Sequence, residues 1–383
     1  MIVILNNCSK TEMMKILVTC LSKFIECDLS KFIFKKRFKI IGFDNINDCY
    51  SSQLKKDALK KIIVKKFKNI FSINTGTSGY FKSRITYIKI FLSCFLSLKN
   101  TLKKDQPEYL IAHLITSLPI FLYSIFNFKT KLIIRVSGKI KMNMLRKILW
   151  KLCEKNIYLI TCPTKATQQD IIKLDLVEKS KVIYLPDPII EIKEILKEKN
   201  NNFTEMKLKE KTFVMIGRYT KQKNHLLVIK CFKELIKKKL DINLIIIGNG
   251  ELKNKYLAEI NRLNLESRVQ LVSYQKNISI YLNKSLALIS SSLWEDPGFV
   301  MIEAAACNTF VISSDCLNGP REFVGNDNGI LFNNNDLKSL EQNILKFLDM
   351  SDYEIEKKKV NAKKKSIDFT KLRHFKILSN NLI

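Results

Sequence analysis

In the second half of the chain, short apolar runs alternate with longer amphipathic segments. Residues 212–217 (TFVMIG) are strand-like, and 224–240 then carry apolar side chains at helical spacing. Residues 243–247 (NLIII) read as a strand, Gly248-Asn249-Gly250 as a turn and 251–263 as a helix; 268–272, 287–290 and 310–313 continue the strands, with helices between. Apolar runs that do not alternate with polar residues mean strands covered on both faces, hence a parallel sheet flanked by helices. The first half follows the same scheme less tidily, with strands expected at 2–5, 38–41, 109–114, 131–136, 158–162 and 182–185. Between the halves, 191–211 (EIKEILKEKNNNFTEMKLKEK) is charged and weakly apolar and reads as a linker. The expectation is α/β: two doubly wound, Rossmann-like domains, 1–190 and 212–365, with a C-terminal helix at 366–383 that returns to the N-terminal domain. A length of 383 residues suits two cores of roughly 150–200 residues each. In open α/β sheets ligands sit at the carboxyl ends of the strands, so function is expected in the loops that follow them.

Charge sharpens this picture. The formal net charge of +30 is unevenly spread: residues 1–190 hold 34 Lys and Arg against 13 Asp and Glu, and 191–383 hold 32 against 23. A lysine-rich composition alone would load both halves alike. The basic first half therefore points to an anionic partner, and Lys35-Lys36-Arg37 and Lys65-Lys66-Phe67-Lys68 mix cations with aromatic residues. No helix-turn-helix, zinc-finger or RNA-recognition pattern accompanies the charge, so an anionic membrane surface is expected and nucleic acid is not. Residues 109–128 (YLIAHLITSLPIFLYSIFNF) hold no formal charge over a span-like length, but Thr116, Ser117 and Pro119 divide them. A buried strand followed by a buried helix is the expected outcome. The ten cysteines form no C-x-x-C pair, and Met1 to Leu5 run into Asn6-Asn7 without a leader-like pattern. These features read as reduced thiols in a cytoplasmic protein.

Three loops carry candidate chemistry. After 212–216 come Gly217, Arg218 and, at a loop–helix junction, Lys223. Two cations beside a helix start suit a diphosphate, although a solvated basic loop has the same composition. Further on, WEDPGFVMIEAAA (294–306) places Glu295 before a turn and Glu303 about one turn into a helix that starts near Gly298 or Phe299. The first amides of that helix, at Gly298, Phe299 and Val300, suit an anion or a sugar hydroxyl. Glu303 lies among Ile302, Ala304, Ala305 and Ala306, where a carboxylate needs a partner such as a vicinal diol. An acid before a helix and another inside it also describe an ordinary solvated helix start.

Taken together and in this order, G-R-x-x-x-x-K at 217–223, IIGNGELK at 246–253 and EDPGFVMIEA at 295–304 resemble the retaining family 4 glycosyltransferases of the GT-B fold. FVISSDCLNGPREFV (310–324) and NGILF (328–332) extend the likeness, which is strong over 212–348, moderate over 104–188 and weak before that. The resemblance implies two Rossmann-like domains facing a central cleft. It implies transfer of a sugar, with retention and without a metal cofactor, from a UDP- or GDP-sugar to a glycan or lipid-linked acceptor. By position, Arg218 and Lys223 would hold the diphosphate, Glu303 the ribose, Glu295 the transferred sugar, and Gly298, Phe299 and Val300 its hydroxyls or phosphate. An epimerase of the same fold and a catalytically silent nucleotide-sugar-binding subunit are the alternatives. Two positions depart from the family: Asn6-Asn7-Cys8-Ser9-Lys10 lacks the usual glycine-rich loop, and Ser137 stands where a histidine is common. His113, at the end of a strand, is read as structural rather than chemical, and Asp187-Pro188 as a hinge step.

Overall fold

The structure is a computed structural model, and it describes residues 2–3, 14–19, 38–43, 63–64, 80–113, 116–136, 142–190 and 208–382. Several expected features lie outside these residues: the Asn6–Lys10 loop, both basic–aromatic clusters, Ser137 and most of the expected linker. The chain divides into two compact units, Met1–Leu185 and Pro186–Ile383.

The first unit contains β1 (Ile2–Val3), β2 (Met14–Thr19), β3 (Phe38–Phe43), β4 (Ile63–Val64), α1 (Tyr80–Lys104), β5 (Tyr109–His113), α2 (Ser117–Ile125), β6 (Lys131–Arg135), α3 (Met144–Cys153), β7 (Ile157–Cys162), α4 (Lys165–Lys173) and β8 (Val182–Tyr184). Strands β5 to β8 run parallel in one sheet, ordered β1-β5-β6-β7-β8. β1 pairs antiparallel with β5, a departure from an all-parallel sheet that an edge strand allows. A separate parallel sheet joins β2, β3 and β4. The uncharged stretch from residue 109 resolves as expected: every residue of β5 is buried, and α2 buries Leu118, Pro119, Ile120, Leu122 and Tyr123. Among the described residues, no helix is long and apolar enough to cross a membrane. Cys153 and Cys162 are buried in this core and form no disulfide.

The second unit is more regular. It contains β9 (Thr212–Ile216), α5 (His225–Lys237), β10 (Asn243–Ile247), α6 (Lys253–Arg262), β11 (Val269–Val272), α7 (Ser279–Lys284), β12 (Ala287–Ser290), α8 (Phe299–Ala306), β13 (Phe310–Ser314), α9 (Pro320–Phe323), β14 (Ile330–Phe332), α10 (Leu337–Leu348), α11 (Asp352–Ser366) and α12 (Lys371–Asn380). The six strands are all parallel, in the order β11-β10-β9-β12-β13-β14. Two apolar layers cover the sheet. Phe213, Met215, Leu244 and Ile246 pack with α5 and α10 on one face, and Val214, Ile245, Leu288 and Val311 pack with α8 on the other. Burial on both faces is why these strands are unbroken apolar runs. Side chains cap the later helices: Asp336, Ser351 and Thr370 each accept from a first-turn amide. The tail is tied to residues 186–190 of the same unit, through a parallel bridge of Ile190 with Thr370 and a 2.6 Å contact of His374 Nδ1 with the Pro186 carbonyl.

From β9 the chain steps outward to β10 and β11, then returns to the other side of β9 to lay down β12, β13 and β14. The reversal leaves a crevice at the carboxyl ends of β9 and β12, which is the position where such sheets bind ligands.

Candidate functional site

The loop after β9 is built to stay close to its neighbours. The Gly217 amide donates to the Ile247 carbonyl at 2.9 Å and the Tyr219 amide to that of Asn249 at 2.9 Å. Gly248 is needed for this approach: a Cβ there would lie 1.9 Å from the Gly217 carbonyl oxygen. Tyr219 points inward and its hydroxyl contacts the carbonyls of Ile246 and Val272, each at 2.9 Å. His225 starts α5 between Tyr219 and Tyr256, with its Nδ1 3.3 Å from the Tyr256 hydroxyl. Burial, aided by the nearby Lys223 cation, pushes the His225 pKa down to about 3, so it is a neutral core residue.

Lys223 is carried on the short turn Lys221–Lys223, and its methylenes lie against Gly217, about 3.3 Å from where a Cβ would be. Its ammonium forms an ion pair with Glu295 Oε1, and the two side chains keep only 18% and 9% of their exposure. Glu295 is therefore not left to solvent. Ser292 Oγ donates to the same carboxylate oxygen at 2.5 Å, and Ser314 Oγ donates to the Ser292 carbonyl at 2.6 Å. Further bonds stitch the two loops together: Ser291 Oγ to the Lys223 carbonyl at 2.9 Å, the Leu293 amide to Gln222 at 2.8 Å, and Gln222 Nε2 to Trp294 at 2.9 Å. With so many bonds the turn holds one shape and aims Glu295 at Lys223.

α8 begins at Phe299, as expected from the sequence. Gly298 precedes it at φ +90°, a left-handed conformation that a side chain would strain, and no side chain caps this helix. Glu303 lies one turn in, half-buried between the core residues Ile302 and Ala304. Among the described residues its carboxylate forms no hydrogen bond or ion pair. Burial raises its pKa to about 7, an effect that Lys223 partly opposes.

A shallow concavity opens here, walled by Lys223, Glu295, Ser292, Gly298 and Val300 over the ends of β9 and β12. Of the residues expected from the sequence, Lys223, Glu295, Gly298 and Val300 line it; Gly217 backs Lys223, and Glu303 is close enough for its charge to be felt there. Arg218 and Phe299 are not in its wall, and Arg218 is exposed without a side-chain partner among the described residues. The sequence reading set Lys223 at a diphosphate and Glu295 at a sugar; here the two are in contact. Ser292, Ser314 and Gln222 were missed. For Ser292 and Ser314 the only signal was a polar serine run at the end of an apolar strand, and Gln222 had none. In the first unit, His113 is buried, with its Nε2 2.7 Å from Arg135 Nη1. Among the described residues no group of three or more His, Cys, Asp or Glu is placed to hold a metal ion.

The class of fold is given by solved structures: both units, each built on a mainly parallel α/β sheet, superpose on glycosyltransferases of the GT-B fold. A glycosyltransferase from Rickettsia africae superposes with a TM-score of 0.73 over 96% of both chains, at 16% identity. Anabaena HepE in complex with UDP-glucose superposes with a TM-score of 0.67 over 96% of this chain and 99% of that one, at 15% identity. Residues 197–366 match the model of the family of glycosyl transferases group 1. Among curated relatives, the N-acetylgalactosamine-N,N'-diacetylbacillosaminyl-diphospho-undecaprenol 4-alpha-N-acetylgalactosaminyltransferase of Campylobacter jejuni is 36% identical over 143 residues, which is 37% of this chain and 38% of that enzyme. Across the curated relatives with the strongest matches the shared segment spans between 28% and 39% of their length.

Proposed function

We propose that this chain is a glycosyltransferase that moves a sugar, with retention, from a UDP- or GDP-sugar to a glycan or lipid-linked acceptor. The observation that carries the reading is the buried, interlocked charge at the ends of β9 and β12: Lys223 paired with Glu295, and Glu303 raised to a pKa of about 7 beside them. A half-buried carboxylate without a partner, as at Glu303, is costly in a ligand-free protein, and a ligand that supplies hydrogen bonds would relieve that cost. The family match supports the reaction class. The Campylobacter relative's lipid-diphosphate acceptor and the UDP-glucose held by HepE support the acceptor and donor classes.

In this reading the bond between the anomeric carbon and the diphosphate oxygen breaks with its electron pair leaving on the diphosphate. The acceptor hydroxyl oxygen then bonds to that carbon on the same face, and its proton passes to the departing diphosphate oxygen. Negative charge grows on the departing diphosphate, and Arg218 and Lys223 are the cations that offset it, with no metal cofactor required. Lys223 must first loosen from Glu295, which frees that carboxylate to accept from a sugar hydroxyl. Glu303 accepts from the ribose diol, which gives its carboxylate the hydrogen bonds it lacks and favours the ionised form. The amides of Gly298, Phe299 and Val300 face the sugar or phosphate at the uncapped start of α8. The acceptor is assigned to the first unit, whose basic character suits a cytoplasmic, peripheral position on an anionic membrane; nucleic acid is not a partner in this reading.

A thermal-shift panel of UDP-, GDP- and ADP-sugars tests the donor assignment. A ligand at 100 times its Kd adds ~2.7 kcal/mol of stability. Turnover with donor alone, followed by the sugar's configuration, separates transfer from epimerisation. Binding without turnover of any donor, with lipid-linked acceptor present, would make the chain a silent nucleotide-sugar-binding subunit.

A further inference from the structure

Among the described residues of the first unit, one helix exposes an apolar face. In α3, Trp150 and Cys153 turn into the core and Leu149 packs beside them. With successive residues turned by about 100°, Met144, Leu145, Ile148 and Leu152 fall on a single stripe about 100° wide, away from Trp150 and Cys153. All four are exposed, at 81%, 65%, 51% and 56%. Four large aliphatic side chains facing water on one ten-residue helix exceed the scattered exposure that needs no explanation. Lys147 and Lys151, both exposed, fall along one edge of this stripe, with Lys151 also paired to Glu154 at 2.8 Å. The surface continues in kind on packed neighbours. α2 packs against α3 and ends in exposed Ile125, and α1 packs against α2 and exposes Leu92 and Leu96. Lys99 and Lys103 of α1 reach over the Phe126 ring, at 4.1 and 5.6 Å.

We propose that α3 is a membrane-docking helix. It lies in the plane of an anionic bilayer surface with Met144, Leu145, Ile148 and Leu152 sunk among the upper acyl chains, while Lys147 and Lys151 meet lipid phosphates. An apolar stripe edged by cations is the arrangement that stabilises an interfacial helix. The charge selects the occupant. A second copy of this chain would bring like-charged lysine edges together across a two-fold contact, whereas anionic headgroups complement them. The basic excess of residues 1–190 gives the same sign over the whole first half. The inference rests on the proposed glycosyl transfer only in that a lipid-linked acceptor would be met at such a surface.

The test uses the full chain without donor, co-sedimented with vesicles of phosphatidylglycerol in phosphatidylcholine and with vesicles of phosphatidylcholine alone. Binding to the anionic vesicles is expected to be about tenfold or more tighter than to neutral ones, and to fall with salt. Ile148→Ser with Leu152→Ser should weaken it about tenfold or more, and Lys147→Glu with Lys151→Glu by at least as much. Both pairs are exposed, so the melting temperature should stay at the wild-type value, and this reports that the fold is intact. Anionic-vesicle binding unchanged by the apolar pair, or absent in wild type, overturns the inference. A dimer in wild type that the apolar pair dissolves, without vesicle binding, assigns the face to a second copy. Transfer to a soluble acceptor analogue that survives while vesicle binding fails removes this inference and leaves the glycosyltransferase reading standing.

Discussion

Glu303→Gln should make the ligand-free protein more stable at pH 8 while it weakens nucleotide binding. In the folded chain the Glu303 carboxyl keeps its proton up to about pH 7, because burial disfavours the charged form, against 4.5 for an ordinary glutamate. The unfolded chain releases the proton near 4.5, so between these values the native state binds more protons. The stability tied to this group is therefore complete below pH 4.5 and is lost as pH rises to 7. A difference of about 2.5 pKa units is worth ~3 kcal/mol at 1.36 kcal/mol per unit, and partial exposure of the side chain trims this to ~2–3 kcal/mol. Glutamine has nearly the same shape and no charge to bury. The difference in unfolding free energy between variant and wild type, measured by urea titration from pH 4 to pH 8.5, should be near zero at pH 4 and reach ~2–3 kcal/mol above pH 7.5. That corresponds to a melting temperature raised by roughly 5–10 °C. Affinity should move the other way: a glutamine side chain accepts from only one ribose hydroxyl, and loss of a charge-assisted bond costs ~1.5–3 kcal/mol, or roughly 10- to 150-fold in Kd. A variant whose stability difference is flat with pH would refute the burial argument. One that binds nucleotide as well as wild type would refute the ribose role.

Arg218→Ala should leave thermal stability unchanged, because this side chain is exposed and has no side-chain partner among the described residues. It should lower donor affinity or turnover by about tenfold or more, read by titration calorimetry and initial rates. Ser292→Ala removes the 2.5 Å bond to Glu295 Oε1 and should cost ~1.5–3 kcal/mol in kcat/KM while the fold persists. Ser292→Thr, which keeps the hydroxyl, should retain more activity than Ser292→Ala. Acid should destabilise the second unit through His225, whose pKa is about 3 when folded and 6.5 when free. The unfolded chain then binds the extra proton, so stability falls as pH drops below 6.5, by ~2 kcal/mol at pH 5. A His225→Asn variant should show a shallower acid limb in circular dichroism.

Much of the second unit could be read in advance, for a physical reason. Strands such as NLIII and FVISS lie under helices on both faces, so their apolar character is continuous and their ends are sharp; β10 and β12 begin and end where the pattern says. The first unit was harder. β4 has only two residues between lysine-rich segments, and β2 (MKILVT) is a short apolar run interrupted by Lys15, so it was not among the expected strands. That β1 pairs antiparallel depends on how the chain returns to the sheet edge, which periodicity does not encode. At the candidate site, the loops and the start of α8 were legible because glycines and a proline punctuate them. The Lys223–Glu295 contact was not, since 72 residues separate the partners and only the adjacency of β9 and β12 brings them together. Ser292 and Ser314 were hidden for the same reason: a serine at a strand end signals nothing until a neighbouring strand gives it an acceptor.

The central claim is that the charges gathered at the ends of β9 and β12 drive departure of a nucleoside diphosphate from a sugar. Release of UDP or GDP from its sugar in the presence of a lipid-diphosphate-linked acceptor tests this most directly, followed by coupled assay for wild type and Lys223→Ala. The account predicts acceptor-dependent release by wild type that persists in EDTA and falls at least a hundredfold in Lys223→Ala, since one buried donor to a developing anion is worth ~3 kcal/mol or more. Release that continues at the wild-type rate in Lys223→Ala, or none from any donor in wild type, would contradict it.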